Sequence, residues 1–259
     1  MMYHPFHMVE KSPWPLTSGI SALTLMMSMI YYLHYNFSKI AFLATIIMLI
    51  TMFQWWRDIS REASFQGNHT LIVIWGLKLG MILFIISEVF FFLSFFWTFF
   101  YSSLSPNIEI GSMWPPHNII PFNPFEIPLL NTTILISSGI SISWSHHSLI
   151  NKNYYETYKA LMITIILGLI FTALQSFEYF QAQFSISDSV YGATFFLTTG
   201  FHGIHVIIGT SFLLITLIRI NKNHLSSSHH FGFEAAAWYW HFVDVVWLFL
   251  FTFMYWWVY

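Results

Sequence analysis

Leu71-Ile-Val-Ile-Trp-Gly-Leu-Lys-Leu-Gly-Met-Ile-Leu-Phe-Ile-Ile-Ser-Glu-Val-Phe-Phe-Phe-Leu-Ser-Phe-Phe-Trp-Thr-Phe-Phe-Tyr-Ser-Ser-Leu104 carries only two charges, Lys78 and Glu88. A helix needs about 20 mostly apolar residues to cross a bilayer, and lipid tolerates no unpaired backbone amide. This run therefore reads as a membrane-spanning helix. At a rise of about 1.5 Å per residue it exceeds a perpendicular crossing, so it tilts or projects beyond the bilayer.

The same reading extends outward to spans at about 16–35, 40–56, 71–104, 128–148, 157–183, 190–220 and 234–258. Seven crossings leave little for a soluble part, and residues 1–259 read as one polytopic, all-α membrane domain. Only 8% of the chain is charged and 56% is hydrophobic, far from the globular norm of about 25% charged. Short connections predict antiparallel neighbours in a bundle. Six of the nine prolines (Pro106, Pro115, Pro116, Pro121, Pro124 and Pro128) fall in one stretch after the third span. That stretch reads as an ordered, extended outer loop, because proline removes a donor and restricts its predecessor.

Cations set the orientation, since cytoplasmic-type loops retain Lys and Arg. With the N-terminus inside, Lys11, Arg57, Arg61, Lys152, Lys159, Arg219 and Lys222 are all inside, and only Lys39 is outside. The net charge of -2 excludes a nucleic-acid partner, which needs a basic face. Without cysteine there are no disulfides, thiolate metal sites or dicysteine copper sites. The start, Met1-Met-Tyr-His-Pro-Phe-His7, has neither a basic secretory n-region nor an Arg-rich transit pattern and reads as a mature N-terminus. Trp55, Trp56, Trp114, Trp144, Trp238, Trp256 and Trp257 lie near span ends, where aromatic belts anchor helices.

Charges within spans are the first functional candidates, because lipid makes them expensive. Glu88 is the deepest carboxylate, with either a proton-linked or a structural hydrogen-bonding role. Lys78 is too far along the axis to pair with it and is expected to snorkel inward. Glu178 and Asp244 are also within spans, and His241 lies one turn from Asp244, which suggests a histidine–carboxylate bond between helices. His202 and His205, at i,i+3 in Gly-Phe-His-Gly-Ile-His-Val, read as structural polar groups between Gly-rich helices rather than metal ligands. The pairs His146-His147 and His229-His230 lie near inner loop boundaries, where water and head groups can satisfy them. Where the second span ends, Trp55-Trp56-Arg57-Asp58, Arg61-Glu62 and His69 meet the depth of Arg219, Lys222 and His224. Guanidinium and ammonium groups beside aromatic walls suit an anionic phospholipid head; ordinary positive-inside residues are the alternative.

Ser12-Pro-Trp-Pro-Leu-Thr, Gln54-Trp-Trp-Arg-Asp and Gly80-Met-Ile-Leu-Phe-Ile-Ile-Ser-Glu-Val resemble the cytochrome c oxidase subunit 3 family. The likeness continues through Trp114-Pro-Pro, Pro128-Leu-Leu-Asn-Thr, Trp144-Ser-His-His-Ser-Leu, Thr199-Gly-Phe-His-Gly-Ile-His-Val and Phe231-Gly-Phe-Glu-Ala-Ala-Ala-Trp-Tyr-Trp-His-Phe-Val-Asp. It is similar to the mitochondrially encoded branch. The resemblance implies a pair of helices, I and II, set apart from a five-helix bundle, III to VII, by a V-shaped cleft filled with phospholipid. It implies a non-redox core subunit of the terminal oxidase, which reduces oxygen with electrons from cytochrome c and pumps protons. This chain would hold no metal or redox centre, the haems and coppers belonging to subunits 1 and 2. It would stabilise subunit 1, support proton uptake and help oxygen access. Its partners would be subunit 1, the other oxidase subunits, phospholipids and respiratory supercomplexes in the mitochondrial inner membrane, with the N-terminus in the matrix and the C-terminus in the intermembrane space. By resemblance Glu88 is the family's intramembrane carboxylate, and Trp55, Arg57, Arg61, Glu62, His69, Arg219 and Lys222 lie near head groups. Asn68 and Gln181 depart from residues common among relatives, a histidine and an acid respectively. Two other classes fit seven spans: a transporter with a water-accessible cavity at Glu88, and a haem or quinol enzyme using His202, His205 or His241.

Overall fold

A computed structural model describes residues 5–259. Residues 1–4, the first part of the start read for leader signals, lie outside the described residues. Helices α1 (Trp14–Tyr35), α2 (Ser38–Ser64), α3 (Leu71–Leu104), α4 (Ile127–Ile150), α5 (Tyr154–Gln181), α6 (Val190–Asn221) and α7 (Phe231–Leu250) follow in order, and α7 continues as a π-helical turn over Phe251–Trp256. Seven helices are long and apolar enough to cross a membrane, and no strand occurs among the described residues.

The largest difference from the hydropathy reading is at α2, which runs on from Trp56 through its charged segment to Ser64. Hydropathy falls at the charged residues, but helix formation does not require apolarity, and Arg57, Arg61, Glu62 and Ala63 are good helix formers in water. The proline-rich connection is irregular, as proline dictates, though it includes one 3₁₀ turn at Ile108–Ile110. Pro128 lies in the first turn of α4, where a missing N–H leaves nothing unpaired.

Contacts divide the chain into two compact units, one ending at Leu77 and one running from Lys78 to Tyr259. In the first, α1 packs on α2. The buried residues of α1 are Ser21 and Ser28, and those of α2 are Ala44 and Thr51. Each pair is spaced by seven, so small side chains recur on one face and let the helices approach closely. The turn between them is set by Asn36, whose φ of 53° is a left-handed conformation that asparagine tolerates, and its N–H caps Tyr32 O.

In the second unit, α4 packs on α5 and α7, and α6 packs on α5 and α7. Trp240 of α7 is fully buried at the centre. A Cβ built on Gly168 of α5 would come within 2.7 Å of its ring, and one built on Gly209 of α6 within 2.9 Å. Trp240 Nε1 donates to Ser138 Oγ of α4 at 2.9 Å. One indole thus joins four helices. By contrast α3 contributes large rings: Phe91 meets Phe201, Phe92 meets Phe242, and Phe96 meets Phe253, with centroids 5.1, 6.0 and 5.7 Å apart.

Gly168→Val should fail where Trp240 and Thr210 leave no room, since overpacking a tight core costs about 1–3 kcal/mol or more. Gly203→Ala, where a Cβ meets nothing within 4 Å, should be neutral. The check is the amount of each variant recovered from detergent-solubilised membranes and its thermal midpoint.

Candidate functional site

In the first unit a polar cluster forms where α1 begins and α2 ends. Asp58 organises it: Trp14 Nε1 donates to Oδ2 at 2.7 Å, and Arg57 donates to Oδ1 through Nε and Nη2 at 3.1 and 3.0 Å. Arg61 Nη1 stands 3.9 Å from the same oxygen, with its side chain mostly exposed. His7 reaches Glu62 at 3.5 Å, and its ring meets that of His69 edge-on at 5.7 Å. Trp55, Asp58, Arg61, Glu62 and His69 line a cavity of about 570 Å³ that Trp14 also borders. Trp56 lies outside it and is exposed. Arg57 lies outside the cavity, whose cations are Lys11 and Arg61 beside the carboxylates Glu10, Asp58 and Glu62; a guanidinium next to an indole edge is a donor set that a phosphate-bearing head group accepts from.

The second unit holds Arg219, Lys222 and His224 at the end of α6. Arg219 Nη1 lies 2.7 Å from the point where Gly232 would carry a Cβ, so its guanidinium rests against the first turn of α7. Lys222 caps α6 and is exposed. His224 lies beyond the helix; partial burial, then the charges of Arg219 and Lys222, push its imidazole below the usual range, so it is neutral at pH 7.

Glu88 has a partner that lies far away in sequence. Its Oε2 is 3.0 Å from His205 Nε2, and His205 Nδ1 is 2.7 Å from Phe201 O. A carbonyl oxygen can only accept, so Nδ1 carries a proton. The bond at Nε2 then contains one further proton, either as a carboxylic acid donating to neutral imidazole or as imidazolium donating to carboxylate. Both arrangements are neutral overall. The i,i+3 pair His202/His205 splits: His202 Nε2 donates to Val243 O at 3.3 Å, and its ring lies against Phe171 and Trp247.

Lys78 does not merely snorkel. Its Nζ is 2.7 Å from Glu234 Oε2, in the first turn of α7. His241 and Asp244 do not form the expected bond with each other; His241 Nε2 instead lies 3.5 Å from Ser143 Oγ, and Asp244 Oδ1 is buried without a hydrogen-bond partner among the described residues. Glu178 accepts from Tyr255 Oη at 2.7 Å, a contact set by the π-helical turn. Sequence reading missed Trp14, Asp58 and Glu234 as organisers. The signal available for Glu234 was its place in a first helical turn, where acids complement the helix dipole.

The profile of the cytochrome c oxidase subunit III family matches residues 4–259. A cytochrome c oxidase subunit 3 of Rhipicephalus sanguineus is 67% identical over 257 residues, covering 99% of this chain and 100% of that protein. Those of Aedes aegypti and Drosophila melanogaster are 61% and 59% identical over 254 residues, each covering 98% of this chain and 97% of the relative. With a match along nearly all of its length, the chain belongs to the cytochrome c oxidase subunit III family.

Proposed function

We propose that this chain is a non-redox core subunit that braces subunit 1 of the oxidase and holds phospholipid at the inner membrane face. As a member of its family it is a subunit of cytochrome c oxidase, an oxidoreductase complex, and it crosses the membrane several times. The observation that carries the lipid reading is the Asp58 cluster: one carboxylate orients Arg57, while Arg61 stays exposed beside a cavity walled by Trp14 and Trp55. Asp58 orients Arg57, while Arg61 and Lys11 face the cavity together with Glu10 and Glu62. Each cation near an anionic surface contributes about 1 kcal/mol of attraction. Arg219 and Lys222 supply the same chemistry in the second unit, and His224, being neutral, adds contact rather than charge.

The haems and coppers belong, in this reading, to subunits 1 and 2, and this chain supports proton uptake and oxygen access without carrying electrons. The setting is the mitochondrial inner membrane, with the N-terminus in the matrix and the C-terminus in the intermembrane space. The distribution of cations supports that orientation: with the N-terminus inside, Lys39 alone lies on the outer side. Supercomplex partners and the other oxidase subunits would cover part of the apolar surface.

Glu88 in this reading locks α3 to α6. Glu88→Gln should leave assembly intact, because an amide N–H can donate to His205 Nε2 as a carboxylic acid does. His205→Leu should destabilise, by about 1–3 kcal/mol, since it leaves the partly buried Glu88 without its partner. Yield and thermal stability of the purified complex check both, and loss of the complex in Glu88→Gln would defeat the assignment. For lipid, Arg61→Ala and Arg219→Ala should each lower the occupancy of anionic phospholipid measured by native mass spectrometry, by about fivefold for a loss of about 1 kcal/mol. Unchanged occupancy in both variants would refute the head-group sites.

A further inference from the structure

We propose that His146, His230 and Glu234 form a binding site for a zinc-type divalent cation at the inner end of the second unit. Their ligand atoms, one from each residue, all lie within 4.8 Å of one another. Three segments supply them: the last turns of α4, the residue preceding α7, and the first turn of α7.

The hydrogen bonding points to a positive occupant. His230 Nδ1 is 3.0 Å from Ser226 O, a carbonyl that can only accept, so Nδ1 carries a proton and, in the tautomer with a single ring proton, Nε2 presents a lone pair. That lone pair faces Glu234 Oε1 at 3.5 Å. Two acceptors facing each other need a positive charge between them, which either a proton on Nε2 or a metal ion supplies. His146 Nε2 is shut off from solvent and has no hydrogen-bond partner among the described residues, which is costly for either tautomer. The His146 ring is held by Phe233, stacked at 5.6 Å, and meets His230 edge-on at 5.6 Å. This departs from the expectation that loop water satisfies both histidines.

Two imidazoles and one carboxylate, with a fourth position open for water, are a familiar donor set for zinc. The His230 bond to a backbone carbonyl is the outer-shell support that fixes a metal-binding tautomer. Zinc bonds of about 2.0–2.1 Å draw ligands closer than 4.8 Å, so binding contracts the three side chains. Lys78 opposes the cation: its ammonium holds Glu234 Oε2 at 2.7 Å and leaves Oε1 for the metal. The Lys78 side chain is 35% exposed, so water screens that repulsion. Such an arrangement favours a site of moderate affinity that fills and empties with the free zinc level.

The test uses the intact oxidase complex containing this chain, stripped with a chelator and titrated with zinc chloride. Bound zinc is counted by mass spectrometry after gel filtration and located by anomalous scattering at the zinc edge. The wild type should bind one equivalent more than His146→Gln or His230→Gln, with the extra atom between the two rings. Lys78→Met, which removes the opposing charge, should tighten that equivalent by about tenfold. Equal zinc stoichiometry in the wild type and a histidine variant that still assembles, or no tightening in Lys78→Met, overturns the proposal. If both histidine variants fail to assemble, Lys78→Met and the scattering map still decide it. Lipid occupancy at Arg61 is independent of this result, so failure here leaves the head-group reading standing.

Discussion

Hydrocarbon offers a polar group no partner, and the interior of this chain is arranged around that constraint. Serine and threonine hydroxyls within the spans donate back to their own helix: Ser28 to Leu25 O, Ser94 to Phe91 O, Thr198 to Thr194 O, Ser138 to Leu135 O, at 2.6 to 2.8 Å. A hydroxyl that has spent its proton in this way keeps its lone pairs and becomes an acceptor for a neighbouring helix. Ser138 receives Trp240 Nε1, and Thr132, bonded to Pro128 O, receives Trp247 Nε1. The two buried indoles of α7 therefore find acceptors in α4 that introduce no new unpaired donor. Ser145 extends the pattern by donating to Thr157 O of α5 at 3.0 Å.

Packing follows from the same economy of polar groups. Water does not drive these helices together, so close approach must come from small residues and from rings that fill the space. Gly168 and Gly209 make room for Trp240, and Ser21, Ser28, Ala44 and Thr51 do the same work between α1 and α2. Helix α3 follows the other route, meeting α6 and α7 through phenylalanines rather than close backbone contact. Its remaining face carries Phe90 and Trp97, 64% and 74% exposed, which in a membrane must face lipid or another subunit.

Which parts were legible in the sequence follows from the range of the forces involved. Helix number and type came from hydropathy, a local property, and all seven spans are present. The end of α2 was not legible, because hydropathy falls at the charged residues while Arg57–Ser64 stays helical. The polar cluster around Arg57 and Arg61 could be read because its members are neighbours on one helix. The organiser Trp14 could not, being 44 residues from Asp58. Likewise Glu88 stood out as a charge in lipid, while His205, 117 residues away, showed only as half of an i,i+3 pair whose other half turned to Val243. Single-chain patterns mark the group that needs a partner, and only the packing supplies it.

That partnership bears on whether Glu88 works as a proton carrier or as a structural tie. With His205 Nδ1 committed to Phe201 O, the pair contains one proton between Oε2 and Nε2 and is neutral whichever atom holds it. Moving that proton across the 3.0 Å bond changes no net charge. Adding a second proton would leave a cation among Phe91, Phe92 and Phe242, and removing the only one would leave an anion there. Each carries a desolvation cost that the shared state avoids. Net exchange with the medium would need a third titratable group to take up the imbalance, and the ring stacked on His205 is that of Tyr239, 6.2 Å away, a poor proton store at neutral pH. The contact therefore ties α3 to α6 through one proton shared between Glu88 Oε2 and His205 Nε2, and neither arrangement of that proton leaves a net charge.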